Sequence, residues 1–76
     1  MTAYHIRYLD KNMGIIKSEA VYMRSLGDAK KSATRNATAL TYKIEIGDII
    51  DKPLAFRYAM GKWDEELIKT EKGNEM

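Results

Sequence analysis

The chain has 76 residues, 45% hydrophobic and 32% charged, with 13 basic and 11 acidic side chains for a net charge of +2. That size allows one domain with a modest core, and the composition excludes a disordered chain. With no cysteine, a disulfide framework, a thiol nucleophile and a cysteine-type zinc site are excluded.

Residues 2–9, TAYHIRYL, alternate apolar and polar side chains and predict a strand. Asp10 to Gly14 is a turn of hairpin length, and residues 15–24 resume as a second strand. Ser25 is the expected N-cap of a helix over about 26–40, with Asp28 complementing its dipole. Leu26, Ala29, Ala33, Ala37 and Leu40 fall on one narrow arc of that helix. The stripe is mostly alanine, so the helix can lie close to a surface that supplies large side chains. Tyr42 to Ile46 alternates again as a third strand. Gly47 and Asp48 bend or end it, or Ile49 and Ile50 prolong it past a bulge. Asp51-Lys52-Pro53 is a turn and residues 54–60 a fourth strand. Asp64 to Lys72 carries acids at its start and lysines near its end, the pattern of a short C-terminal helix. The expectation is an α+β domain over residues 1–72: β-β-α-β-β, a four-stranded antiparallel sheet with one helix across a face and residues 73–76 frayed.

Sorting the strands by charge gives two sets. One contains His5, Arg7, Lys17, Glu19, Lys43, Glu45 and Arg57. The other contains Tyr4, Ile6, Tyr8, Ile16, Ser18, Ala20, Tyr22, Tyr42, Ile44, Ile46, Leu54, Phe56, Tyr58 and Met60. The apolar set is expected to face the helix, which places all five tyrosines inside. Leu9, Val21 and Met23 then fall on the charged face, where Trp63 and Leu67 of the tail could cover them.

Chemistry is thin. His5 sits within a strand and reads more simply as a solvent-facing residue than as a base or metal ligand. Ser18, Ser25 and Ser32 each have a simpler place in the core, the cap and the helix side. Asp48 and Asp51 could pair for acid–base work or Mg²⁺, but aspartates beside a turn more often satisfy local backbone groups. No glycine-rich phosphate loop is present. The expected role is therefore non-catalytic, without metal or cofactor. It is a binding or regulatory protein acting on another protein, or on itself as a dimer, through Leu9, Val21, Met23 and Trp63. The alternative is weak nucleic-acid binding by the basic helix surface of Arg24, Lys30, Lys31 and Arg35. Inward tyrosines argue against base stacking on the sheet. No apolar run of membrane-spanning length and no secretion signal is read, so the expected compartment is the cytoplasm, with no membrane partner.

Overall fold

The structure, a computed structural model, describes residues 1–59 and 61–65. Its elements are β1 (Thr2–Leu9), β2 (Ile15–Met23), α1 (Leu26–Asn36), β3 (Lys43–Gly47) and β4 (Pro53–Tyr58). The strands form one antiparallel sheet in the order β2-β1-β3-β4, and α1 packs across one face. No helix among the described residues is long and apolar enough to cross a membrane.

The two central strands supply the core. Tyr4, Ile6 and Tyr8 of β1 lie beside Ile44 and Ile46 of β3, beneath Ala29 and Ala33 of α1. Both alanines are fully buried, so the small stripe on α1 meets the large side chains of the sheet as expected. Fully burying Tyr8, Ile6 or Ile46 contributes about 1.5–3 kcal/mol each.

Local polar groups set the ends of the elements. Asp10 organises the first hairpin, its carboxylate accepting from the N–H groups of Asn12 and Gly14, each at 2.9 Å. Ser25 caps α1, its hydroxyl accepting from the Asp28 N–H at 3.2 Å. The helix stops at Asn36 rather than near residue 40. Thr41 accepts from the Thr38 N–H at 3.0 Å and donates its own N–H to the Thr38 carbonyl at 3.0 Å. That hydroxyl-capped turn competes with another turn of helix, and Leu40, expected in the apolar arc, is 75% exposed.

The faces of the two edge strands are the reverse of the charge-sorted expectation, for one reason in both. Between β1 and β2, Leu9 lies opposite Ile15, but Tyr8 lies opposite Lys17, so Ile16 is an extra residue. Between β3 and β4, Gly47 lies opposite Pro53, but Ile46 lies opposite Ala55, so Leu54 is extra. A one-residue bulge moves every later side chain of its strand to the other face. Lys17, Glu19, Val21 and Met23 consequently share the helix side with Tyr8, Ile6 and Tyr4, and Ala55 and Arg57 share it with Ile46 and Ile44. Ser18, Ala20, Tyr22, Phe56 and Tyr58 lie on the opposite face with His5, Arg7, Lys43 and Glu45. The inward charges find partners at the rim, except that Arg57 Nε is buried without a hydrogen bond among the described residues. Tyr8 donates to Glu19 at 2.5 Å, Lys17 lies 4.8 Å from the Tyr8 ring centre, and Arg57 donates to the Thr34 hydroxyl at 3.0 Å. Leu54 packs against the core as expected.

Beyond β4, Asp64 pairs with Phe56 in an isolated bridge, exchanging N–H···O bonds of 2.8 and 2.9 Å. Asp64 is therefore extended against the sheet edge instead of starting a helix. Glu65 is not helical either, and residues 66–72 of that expected helix, with Leu67, lie outside the described residues, as do Met60 and residues 73–76.

Candidate functional site

The sheet face opposite α1 is left open by the described residues, and the β3–β4 turn folds over its end. Asp48 builds the turn. Its carboxylate accepts from the N–H groups of Ile50 at 3.0 Å and Lys52 at 2.9 Å, and its carbonyl accepts from the Asp51 N–H at 3.0 Å. Its own N–H donates to the Lys52 carbonyl at 3.1 Å. That carbonyl passes so close to Gly47 that a Cβ there would sit 3.1 Å from it, which makes glycine the fitting residue. Asp48 thus serves local backbone groups, and Ile49 and Ile50 form the tip of the turn instead of prolonging a strand.

Asp51 closes the turn in the left-handed region, at φ 64°, which suits aspartate better than most side chains. Its carboxylate reaches back to β1, 2.9 Å from His5 Nδ1 and 2.7 Å from an Arg7 nitrogen. The His5 hydrogen bond, reinforced by the Arg7 charge, holds the Asp51 carboxyl below the usual carboxylate range. Arg7 also approaches Glu45 at 3.6 Å, and Glu45 approaches Lys43 at 3.2 Å. Lys43 lies 5.0 Å from the ring centre of Phe56 and 5.4 Å from that of Tyr58. The chain of contacts from His5 to Tyr58 contains Arg7 and Lys43 against Asp51 and Glu45, so its fixed charges balance. A small cavity of about 150 Å³ opens among Arg7, Lys43, Glu45, Asp51 and Phe56.

At the tip, Ile49 is 74% exposed and Ile50 78% exposed. Turn tips favour Gly, Asn, Asp, Ser and Pro. Here two adjacent isoleucines are presented to solvent by a backbone pinned at both ends. No motif marked this feature in the sequence. Its signal is two isoleucines between two aspartates, a pattern that reads equally as the continuation of a strand past a bulge.

The comparisons are silent: no protein-family model, curated protein or solved structure matches the chain.

The residues singled out from sequence are placed differently. Leu9 is 7% exposed, and Val21, Met23 and Trp63 pack against the helix-side core. Leu9, Val21 and Met23 therefore form no free apolar patch on the charged face, and Trp63, expected as cover for that patch, packs on the helix side instead. Arg24, Lys31 and Arg35 are exposed. Lys30 is half-buried, 2.6 Å from Glu65 and 5.9 Å from the Trp63 ring centre. Lys30, Lys31, Arg35 and Trp63 line one shallow groove, so two readings made separately meet at one place. Of the tyrosines, Tyr4 and Tyr8 are buried, Tyr22 is 72% exposed, and Tyr42 and Tyr58 touch edge-on with centroids 5.4 Å apart. The expectation that all five lie inside is corrected, and with it the steric argument against stacking on the sheet. Ser18, expected in the core, is exposed on the face that carries His5, but no hydrogen bond joins the two.

Proposed function

We propose that this protein is a non-catalytic binding module that engages a protein partner through the Ile49–Ile50 turn. The observation that carries this reading is an exposed apolar pair on a backbone held by Asp48 and, through Asp51, by His5 and Arg7. Burying two isoleucine side chains releases up to about 3–6 kcal/mol. A rigid turn loses little conformational freedom on docking, so more of that energy becomes affinity. The balanced charges behind the tip suit a partner pocket that is apolar at its centre and polar at its rim. Acidic groups on both sides of the tip, and only two apolar side chains, make an anionic membrane surface a poor alternative.

The test is comparative capture from nuclease-treated cell extract. A partner should be retained by the wild type and by the Lys31→Glu/Arg35→Glu variant, and lost with Ile49→Ser/Ile50→Ser. Both serines replace exposed side chains, so the fold should persist. Retention that ignores the two serines contradicts the reading.

A second reading, weak nucleic-acid binding, is favoured by Lys31 and Arg35, exposed one turn apart beside Trp63. It ranks lower because Lys30 is already paired with Glu65, which leaves few free cations for phosphate. Three contacts imply a log–log salt slope near about −3 on duplex DNA. Fluorescence anisotropy at two salt concentrations measures it.

A further inference from the structure

The two edges of the sheet differ. The β4 edge is occupied by the Phe56–Asp64 bridge. The outer side of β2 has no strand beside it among the described residues. The Tyr42 N–H donates to the Leu9 carbonyl, so odd residues of β1 aim their backbone groups at β3 and even residues at β2. Tyr8, Ile6 and Tyr4 then bond Lys17, Glu19 and Val21, which leaves the N–H and C=O groups of Ser18, Ala20 and Tyr22 directed outward. Ile15 is 60% exposed and Tyr22 72% exposed along the same strand. Long open edges of this kind pair with other strands unless blunted. Here the blunting devices, Lys17 and the bulge at Ile16, sit at one end only.

We propose that β2 pairs antiparallel with β2 of a second copy of this chain, about a two-fold axis at Ser18, to give a continuous sheet across both copies. The register follows from charge. A two-fold at Ser18 places Lys17 opposite the partner's Glu19, and by symmetry Glu19 opposite the partner's Lys17. Both residues project to the helix side, at the narrow pairs of the new ladder, where side chains lie closest. Both heads are already drawn together, Lys17 over the Tyr8 ring and Glu19 on its hydroxyl. Moving the axis to residue 17 or 19 sets like charges against each other. Moving it to Ala20 sets Lys17 against Met23 and leaves the charges unmatched. Ser18 itself, with outward backbone groups, meets its own copy as a hydrogen-bonded pair.

The absence of cysteine from the chain makes the register directly testable. In a hydrogen-bonded antiparallel pair the Cα atoms stand about 5.5 Å apart, within disulfide reach. Under mild oxidation Ser18→Cys should form a covalent dimer rapidly. Ala20→Cys, displaced along the strand and equally exposed, should not. Light scattering of the unmodified protein should show a dimer. Lys17→Glu should weaken it about tenfold, through two like-charge pairs, and Lys17→Glu/Glu19→Lys should restore it. A monomer at all sub-millimolar concentrations overturns the proposal. So does faster cross-linking at residue 20 than at residue 18, or a dimer that the double exchange does not restore. Should the exchanged pair fail to fold, the two cysteine variants alone decide.

Discussion

Tyr8 carries more of the polar chemistry of the helix side than any other side chain. It is fully buried, donates to Glu19 and lies beneath the Lys17 ammonium. Burial, then the hydrogen bond and charge of Glu19, push its hydroxyl well above the ordinary tyrosine range. A folded-state value above the unfolded one contributes stability that is fully present below the ordinary tyrosine range and lost as pH rises through the folded value. An alkaline ultraviolet titration should therefore show a late-ionising step that Tyr8→Phe removes. The same substitution strips the Glu19 carboxylate of its donor and should cost about 1–3 kcal/mol in a denaturant melt. Asp51 has the opposite sign. Its depressed carboxyl contributes stability above the unfolded-state range, and that contribution is lost as pH falls through the lowered folded-state range. Because the group is exposed, the effect belongs to the turn rather than to global stability. Amide protection at Ile50 and Lys52, taken relative to the intrinsic exchange rate at each pH, should fall on acidification in the wild type. Asp51→Asn, which keeps the left-handed backbone and removes the charge, should show that lower protection already at neutral pH.

At the scale of elements, α1 gives the cleanest contrast. Ala33 is fully buried and Lys31 exposed. Ala33→Leu should overpack the sheet and cost about 1–3 kcal/mol, while Lys31→Leu should cost little in the same thermal melt. Helix, strands and cap were legible because each rests on local signals: the alanine stripe, the alternation in β1 and β3, the serine before Leu26. The edge-strand faces were not. Ile15, Val21 and Met23 on one parity of β2 compete with Ile16, Ala20 and Tyr22 on the other, so hydrophobicity alone does not choose a face. The bulges at Ile16 and Leu54 made the choice. A bulge is settled by pairing between strands, which a single strand's pattern does not contain. The candidate site was hidden for the same reason. His5 and Asp51 are 46 residues apart in sequence, and the contact exists only once β1 and β3 are neighbours.

For the whole molecule, a 76-residue chain has little stability to spare, and what lies beyond β4 contributes to it. Trp63 packs on the helix-side core next to Lys30, and the Phe56–Asp64 bridge places it there. Trp63→Ala should cost about 2 kcal/mol or more in a denaturant melt. A near-zero cost would mean that the indole contributes nothing to the fold. The molecule then divides its surfaces by task. One sheet face and α1 make the core. As proposed, the β2 edge would serve self-association and the pinned turn on the open face a partner. The measurement that tests this last assignment most directly is amide hydrogen exchange on the protein bound to the captured partner. The account predicts new protection at residues 48–52 with α1 unchanged. Protection confined to α1 around Lys31 and Arg35, with the turn exchanging as in the free protein, would contradict it.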